Sequence, residues 1–309
     1  MKVTVLAGGV GAARFLKGLI SVMDQREITV IANTGDDVEL HGLHISPDID
    51  TLVYTLADAI DPERGWGLAN ETWQAMEMVK RYGGIGWFNL GDQDLGTHMF
   101  RTQRRSEGAS LDVVTAEIAR AWGLDLAILP VTNDLLRTMV TVVDEGEITF
   151  QEYFVRRQHN VEVSNIRFNG ARAATPGPGV IDAIDHADLV VIAPSNPLVS
   201  IGPLLAVPGV REAVVAKRAQ TVAVSPIVGG AALKGPADRM MRELGHPSTV
   251  GGVAQLYHEL AATLVIDSVD EPLANEVEAA GMAALAVPTV MSEPGVAAAL
   301  ATAILALVP

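Results

Sequence analysis

Seven short apolar runs recur along the chain, and most are followed by a stretch with the apolar spacing of a helix. The runs cover residues 3–7, 28–32, 125–129, 189–193, 221–224, 264–267 and 284–287. They are rich in valine, isoleucine and leucine without polar alternation, which is typical of strands buried on both faces of a parallel sheet. The alternation of strand and helix predicts a doubly wound, mostly parallel, Rossmann-like α/β sheet.

Two stretches interrupt this alternation. Residues 51–123 hold consecutive helical patterns with no clear strand between them, which predicts a helical insertion. Residues 137–169 predict a small β-rich excursion that starts with a hairpin, whose strands at 139–143 and 148–153 flank an acidic, glycine-containing turn. No repeat or linker is visible, so we expect a single α/β domain over residues 1–309.

The composition restricts the partners of the chain. A net charge of −15 argues against a nucleic-acid backbone or an anionic membrane surface as the main partner. The absence of cysteine excludes disulfides, thiolate nucleophiles and cysteine-ligated metals. The apolar stretch at 297–308 is shorter than the roughly 20 residues of a membrane-spanning helix, and no signal-peptide pattern is visible. We therefore expect a cytoplasmic protein.

A glycine-rich turn follows the first apolar run. Gly8, Gly9 and Gly11 stand where a strand ends and a helix begins, and the backbone N–H groups of a helix N-terminus favour a phosphate. The spacing is neither the Gly-x-Gly-x-x-Gly of dinucleotide-binding folds nor a P-loop, which ends in Gly-Lys-Ser/Thr. The turn indicates a phosphorylated or nucleotide-like ligand without fixing which one.

Five carboxylates follow the second apolar run within fifteen residues, namely Asp36, Asp37, Glu39, Asp48 and Asp50. They repel one another unless a cation compensates them, and Mg²⁺ prefers one or two carboxylates together with substrate phosphate oxygens. Two other interpretations stay open. Either the segment is a solvated acidic loop with Asp50 as a helix cap, or Asp36 binds the ribose of NAD. The second acidic group, at Asp48 and Asp50, favours a metal over a ribose.

Other polar segments are candidates for the walls of a site. Residues 89–94 form a glycine-containing loop that either lines a pocket or opens a helix with Asp92 as its N-cap. Ser195 and Asn196 lie between two prolines, where a stiff turn aims polar groups at a ligand or simply reverses the chain. The basic residues that either meet a diphosphate or form solvated faces are Arg101, Arg104, Arg105, Arg156 and Arg157.

Together these segments resemble the 2-phospho-L-lactate transferase family of coenzyme F420 biosynthesis. The resemblance rests on motifs at residues 8–15, 33–37, 44–51, 90–98, 193–203 and 224–227, all in the family's order. It runs nearly from end to end of the chain. It implies the reaction, the cofactor and the roles of the site residues that follow.

The resemblance implies a transfer from a three-carbon acid that is activated by guanosine diphosphate. The terminal ribityl hydroxyl of the deazaflavin Fo attacks the donor, the phospho-acid moiety moves to Fo, and GMP leaves. The moiety is 2-phospholactate, phosphoenolpyruvate or 3-phosphoglycerate. The glycine-rich run is similar to that of bacterial members, which favours the phosphoenolpyruvate-derived donor.

The same resemblance gives the aspartates their roles. Asp36 and Asp50 are expected to be catalytic and to hold Mg²⁺, with Asp37 as a further metal ligand. Asp50 and Asn89 are expected to contact Fo. Archaeal relatives often carry lysine at the position of Asn89, whose amide still donates and accepts hydrogen bonds.

The resemblance also gives a nucleotide site and a homodimer. Gly8, Gly9 and Gly11 are expected to approach the nucleotide diphosphate, and Ser195 and Asn196 to face the nucleotide. Two other functions stay open on the residues alone. One is an NAD(P)-dependent oxidoreductase, from the glycine-rich turn and its acidic partner, and the other is a non-catalytic deazaflavin- or nucleotide-binding protein.

Overall fold

The helices and strands are those of a computed structural model that describes residues 1–308. The strands are β1 (Val3–Ala7), β2 (Ile28–Ala32), β3 (Val38–Leu40), β4 (Leu43–Ile45), β5 (Ala127–Pro130), β6 (Arg137–Val142), β7 (Gly146–Thr149), β8 (Val163–Asn169), β9 (Leu189–Ile192), β10 (Thr221–Val224), β11 (Ile227–Val228), β12 (Ala231–Ala232), β13 (Thr263–Ile266) and β14 (Ala283–Ala286). The helices are α1 (Gly9–Leu19), α2 (Pro47–Leu56), α3 (Gln74–Arg81), α4 (Asp94–Ser106), α5 (Leu111–Ala121), α6 (Val180–Asp185), α7 (Gly202–Ala206), α8 (Val210–Ala216), α9 (Ala237–Glu243), α10 (Val250–Tyr257), α11 (Ala274–Ala279) and α12 (Val296–Leu305).

Seven parallel strands form the central sheet, in the order β14-β13-β10-β9-β1-β2-β5. Each of the seven apolar runs becomes one of these strands, which confirms the predicted α/β fold. β1, β9 and β10 are buried along their whole length, because helices cover both faces of the sheet. The ends of the strands differ from the predicted runs by two residues at most, as at Ala127–Pro130.

Apolar helix faces form one core on each side of the sheet. On one side α1, α2, α5 and α12 pack against the strands through residues such as Leu16 and Leu300. On the other side α6, α7, α8, α10 and α11 do so through residues such as Ile184 and Val253. Full burial of one such side chain stabilises the fold by about 1.5–3 kcal/mol.

The two predicted interruptions are a helical insertion and a β-rich excursion. The helices α3, α4 and α5 lie within residues 51–123, and α2 begins slightly earlier, at Pro47. A three-stranded antiparallel sheet, β7-β6-β8, lies within residues 137–169. These additions confirm the predicted fold class, whereas the single-domain organisation stays a prediction.

The second strand of the predicted hairpin is shorter than expected. β7 ends at Thr149, and a π-helical turn, Glu152–Arg156, follows instead of a strand that runs to residue 153. Phe150 and Tyr153 are both buried in a small apolar core beneath the excursion. A strand would put these two residues on opposite faces, because they are three positions apart, whereas a helical turn puts them on one face.

The polar segments gather at one edge of the sheet. The chain leaves β1 for β2 and β5 on one side, and later continues from β9 through β10, β13 and β14 on the other. Between β1 and β9 the connections diverge, and in such sheets a ligand crevice opens outside the carboxyl ends of the strands. The segments at residues 8–11, 33–37 and 194–196 follow β1, β2 and β9 at this edge.

No single helix among residues 1–308 is long and apolar enough to cross a membrane. One pair, Pro197–Ala206 and Val210–Ala216, passes the same test of length and composition only when its two parts are joined across a bend of 98°. The apolar helix Val296–Leu305 is too short to pass it.

Gly18 lies at a close contact between α1 and α12. A β-carbon at Gly18 would collide with the backbone of Ala297, so we expect Gly18→Ala to lower the free energy of unfolding by about 1–3 kcal/mol. Gly96 in α4 is the matched control, because a β-carbon there meets nothing within 4 Å. We expect Gly96→Ala to raise stability by about 0.5–1 kcal/mol. Urea unfolding measures both changes, and a gain of stability in Gly18→Ala would contradict the close contact.

Candidate active site

The glycine-rich turn is packed tightly against other parts of the protein. Gly9 has a φ of +74°, which other residues rarely adopt. A β-carbon at Gly8 would lie 2.9 Å from Asp48 Oδ2, and one at Gly11 would collide with the carbonyl oxygen of Pro194. Contacts within the protein therefore account for Gly8 and Gly11, and the backbone conformation accounts for Gly9. Phosphate binding at the N-terminus of α1 stays a prediction.

Ser195 and Asn196 fix the loop after β9. The Ser195 hydroxyl donates to the carbonyl oxygen of Gly8 at 2.8 Å, which ties the end of β9 to the end of β1. Asn196 Oδ1 accepts hydrogen bonds from the backbone N–H groups of Leu198, at 2.9 Å, and Val199, at 3.4 Å. Both residues thus lie in the loop at the carboxyl end of β9, and their contact with a nucleotide stays a prediction.

Three aspartates form a buried cluster beyond the end of β2. Asp36, Asp37 and Asp48 expose only 6%, 4% and 8% of their surface. Asn33 Nδ2 donates to Asp48 Oδ2 at 2.9 Å. The interpretation as a solvated acidic loop is therefore wrong for these aspartates, although Glu39 is exposed.

Burial controls the electrostatics of this cluster. It raises the pKa of Asp36 well above its ordinary value, and the charge of Asp48 adds to the rise. Burial also raises the pKa of Asp48 to about 6. Asp37 Oδ2 accepts a hydrogen bond from Ser46 Oγ at 2.9 Å and lies 3.1 Å from His44 Nε2. By contrast, Asp36 Oδ1 and Asp37 Oδ1 have no hydrogen-bond partner among residues 1–308. Buried carboxylate oxygens without partners are suitable ligands for a hard cation.

Asp50 lies within α2 and is neutralised by an arginine. The helix begins at Pro47 with Ser46 as its N-cap, so the interpretation of Asp50 as the cap is wrong. The fully buried Arg101 of α4 binds both Asp50 oxygens, with Nη1 at 3.1 Å from Oδ2 and Nη2 bonded to Oδ1. Burial raises the pKa of Asp50, and the charge of Arg101 opposes the rise. Arg101 therefore meets a buried aspartate and does not belong to a solvated face.

Asp50 also belongs to a candidate metal-binding triad. Ligand atoms of Asp50, Asp94 and His98 lie within 4.8 Å of one another, and no other group of this kind occurs among the described residues. The structure does not bring Asp36, Asp37 and Asp50 together in such a group. It places Asp36 and Asp37 in a cluster with unpartnered oxygens, and Asp50 in a cluster that already contains a positive charge.

Asn89 and several expected basic residues lie at the surface. Asn89 is exposed, and its Oδ1 accepts a hydrogen bond from Lys80 Nζ at 3.0 Å. The basic residues with acidic partners are Arg104, which pairs with Glu107 and Glu117, Arg156, which pairs with Glu152, and Arg157, which pairs with Glu145. These ion pairs fit the interpretation of solvated faces.

Asp92 caps a helix other than the predicted one. Its carboxylate accepts hydrogen bonds at 3.0 Å from two backbone N–H groups at the start of α3. At the start of α4, Glu71 accepts instead from the backbone N–H groups of Gln93 and Asp94, both at 2.8 Å. Each helix is thus capped by a residue that precedes the other helix. Asp92 precedes α4 and caps α3, whereas Glu71 precedes α3 and caps α4.

The group around Asp50 is not predicted from the sequence, although the spacing of three of its members along α4 indicates that they share a face. Asp94, His98 and Arg101 stand at positions i, i+4 and i+7 of α4 and therefore share one face. Tyr54 stands four residues after Asp50 on α2 and donates to Asp94 Oδ1 at 2.7 Å.

The fold and the site define a class of protein: a doubly wound α/β protein with buried carboxylates beside its topological switch point, where such folds hold ligands. The chain belongs to the family described as 2-phospho-L-lactate transferase CofD, whose model matches residues 3–300. The predicted family is thereby confirmed, and the chain is a transferase of coenzyme F420 biosynthesis.

Relatives of known name support the same family. A protein of Streptomyces griseus named phosphoenolpyruvate transferase is 45% identical over 306 residues, which cover 97% of this chain and 96% of the relative. A protein of Mycolicibacterium smegmatis with the same name is 40% identical and covers 98% of this chain and 97% of the relative. The crystal structure of protein BH3568 from Bacillus halodurans has a TM-score of 0.68, at 18% identity over 98% of this chain and 99% of that chain. This last similarity shows a common fold.

Asp36→Asn removes a buried charge with almost no change of shape. A carboxyl group with a raised folded-state pKa stabilises the protein fully below its unfolded pKa, about 3.9. It loses that contribution as the pH rises through the folded pKa. In a metal chelator, we therefore expect Asp36→Asn to match the wild type near pH 4. At pH 7.5 it should be more stable by about 1–3 kcal/mol, as measured by urea unfolding.

Asp92→Asn is the control of opposite sign. Hydrogen bonds from the Thr72 hydroxyl and the Ala75 backbone lower the pKa of Asp92, so its contribution is present above the unfolded pKa and is lost as the pH falls. We expect Asp92→Asn to be less stable than the wild type at pH 7.5. An equal loss of stability in Asp36→Asn would contradict the unpaired state of Asp36.

Proposed function

We propose that this chain transfers a phospho-three-carbon-acid moiety from a guanosine diphosphate-activated donor to the ribityl hydroxyl of the deazaflavin Fo, with release of GMP. Membership of the family over residues 3–300 supports this reaction. The observation that carries it is the pair of buried, unpartnered oxygens of Asp36 and Asp37. The third aspartate of their cluster, Asp48, lies against Gly8 at the N-terminus of α1. A helix N-terminus and a carboxylate-bound cation are both suited to a diphosphate.

We propose phosphoenolpyruvate as the three-carbon acid. The relatives from Streptomyces griseus and Mycolicibacterium smegmatis are both named phosphoenolpyruvate transferase, and each matches nearly the full length of this chain. The competing lactyl and glyceryl groups carry a methyl or a hydroxymethyl group where the enolpyruvyl group carries a methylene, and a pocket discriminates such small groups by about tenfold or more.

Asp36 and Asp37 suit Mg²⁺ better than Asp50 does. Each offers a buried oxygen without a partner among the described residues, whereas Arg101 occupies both oxygens of Asp50. We therefore propose Asp36 and Asp37 as the principal ligands, with Asp50 held by Arg101 rather than by the metal. Mg²⁺ held there would neutralise negative charge on the donor diphosphate.

In phosphoryl transfer the protein mainly positions the donor and the acceptor and stabilises the developing charge. A bond forms between the acceptor hydroxyl oxygen and the phosphorus that carries the acid, and the bond from that phosphorus to the bridging oxygen breaks. GMP leaves with the bridging oxygen, and the hydroxyl proton is released. In this proposal Asp50 accepts a hydrogen bond from the hydroxyl, Asn89 contacts Fo, and backbone N–H groups at residues 9–11 bind the diphosphate.

Incubation of the protein with Fo, Mg²⁺ and each of the three guanylyl-activated donors tests the reaction. We expect GMP and a phosphorylated deazaflavin by mass spectrometry. The kcat/KM should be at least about tenfold higher for the enolpyruvyl donor. Folded protein that gives no product with any donor would refute the transferase. Equal use of the three donors would refute only the choice of acid.

Removal of Mg²⁺ tests the role of the Asp36 cluster. We expect a chelator to abolish turnover, and Asp36→Asn to lower kcat by at least about 100-fold, because electrostatic stabilisation of the transition state is lost. Glu39→Gln is the matched control, since Glu39 lies in the same segment but is exposed, and we expect it to keep wild-type activity. Full turnover in the chelator would contradict the proposed metal.

We also propose that the enzyme is a homodimer formed through its helical insertion. Large hydrophobic side chains of residues 51–123 that are exposed in the chain support this assembly: Trp66, Met78, Tyr82, Ile85, Met99, Phe100, Val113 and Trp122. The cytoplasmic location stays a prediction.

A further inference from the structure

Five side chains form a closed ring between α2 and α4. Arg101 binds both oxygens of Asp50, and its Nη1 also lies 3.2 Å from His98 Nδ1. His98 Nε2 lies 3.3 Å from Asp94 Oδ2. The Tyr54 hydroxyl donates to Asp94 Oδ1 at 2.7 Å, and Tyr54 follows Asp50 by one helical turn. The ring therefore joins α2 to α4 twice, through Asp50 and Arg101 and through Tyr54 and Asp94.

The ring is almost removed from water, and only its two carboxylates keep a small exposed surface. The exposed fraction is 0% for Arg101, 1% for His98 and Tyr54, 5% for Asp50 and 7% for Asp94. Each charge therefore depends on its partners in the ring rather than on solvent.

Hydrogen bonds orient both carboxylates of the ring. A guanidinium group only donates, so His98 Nδ1 is the acceptor and the imidazole proton lies on Nε2. His98 Nε2 makes no hydrogen bond among the described residues, and its approach to Asp94 Oδ2 at 3.3 Å is an electrostatic contact. The Tyr54 hydroxyl in turn fixes Asp94. At the other end, the planar fork of Arg101 fixes the plane of the Asp50 carboxylate, because both oxygens are bonded at once.

Stability alone does not explain this arrangement. Replacement of a buried ion pair by apolar residues of similar volume is often neutral or stabilising. The arrangement also leaves Asp50 able to act, because a carboxylate offers about four lone-pair sites and Arg101 uses two of them. A metal ion in the Asp50–Asp94–His98 triad would compete with the guanidinium that already bonds both Asp50 oxygens.

We propose that Arg101, His98, Asp94 and Tyr54 are positioning residues that hold the Asp50 carboxylate towards the acceptor hydroxyl. The inference rests on the proposed function, in which Asp50 orients that hydroxyl. The positive charge beside Asp50 is then the guanidinium of Arg101, which the helical insertion supplies through α4. The positive charge beside Asp36 and Asp37 is instead the proposed Mg²⁺.

Arg101→Lys tests the inference, with Arg104→Lys on the same helix as the matched control. Lysine keeps the charge of Arg101 but not its planar fork. We expect kcat/KM for Fo to fall at least about tenfold, because a misplaced reacting group loses rate steeply. The KM for the donor should stay within about twofold, because Asp50 does not hold the donor. Arg104 pairs with Glu107 and Glu117, and its lysine variant should keep wild-type constants.

Tyr54→Phe provides a second variant if Arg101→Lys does not fold. Phenylalanine removes only the hydroxyl that orients Asp94, and we expect kcat for Fo to fall about three- to tenfold, as expected for a less well-oriented reacting group. Tyr257→Phe is its control, because the buried Tyr257 hydroxyl has no partner among residues 1–308. The control should keep wild-type kinetics.

The outcomes separate this inference from the proposed function. A ring with a merely structural role would lower the amount of folded protein without changing kcat or KM per folded molecule. An active wild type whose Arg101→Lys and Tyr54→Phe variants match their controls overturns the positioning role alone. A wild type that transfers nothing to Fo overturns the proposed function and this inference together.

Discussion

Burial of negative charge beside the carboxyl ends of parallel strands is the constraint on which the rest of the site depends. Asp36, Asp37 and Asp50 all lie where water does not screen them, and a buried unpaired charge is costly. The negative charge of Asp50 is compensated differently from the charges of Asp36 and Asp37. Arg101 neutralises Asp50 within the protein, whereas Asp36 and Asp37 each keep an oxygen without a partner among the described residues. Arg101 thus fixes the Asp50 carboxylate from within the protein, whereas binding of a cation from solution by Asp36 and Asp37 belongs to the proposed function.

The additions to the Rossmann-like sheet hold these charges in place. The helical insertion supplies Arg101 from α4. The β-rich excursion holds the loop after β2, because Gln151 Nε2 donates to the carbonyl oxygen of Asp36 at 3.1 Å. The backbone N–H of Thr138 also donates to the carbonyl oxygen of Gly35 at 2.7 Å. The two insertions therefore belong to the construction of the site as much as the strand ends do.

The sequence predicts the fold well, because apolar periodicity follows local burial. The seven strands, the insertion and the excursion all follow from it, and the family follows from motifs in order. Burial of Asp36 could not be predicted, since the loop that carries it contacts residues far away in the sequence, such as Gln151, 115 positions later. The partner of Asp50 left only a partial signal: the spacing of α4 groups Arg101 with two other polar residues, but no local pattern says which helix faces them. The helix that Asp92 caps could not be predicted for the same reason, because a capping side chain can bond to a segment distant in the sequence.

The position of Mn²⁺, used in place of Mg²⁺ and located by anomalous scattering in crystals of the protein, tests this account most directly. The account predicts an anomalous peak between the carboxylates of Asp36 and Asp37, with Arg101 still bonded to both oxygens of Asp50. A peak on Asp50, with Arg101 displaced from it, would contradict the claim that Arg101 neutralises Asp50 while the metal binds Asp36 and Asp37.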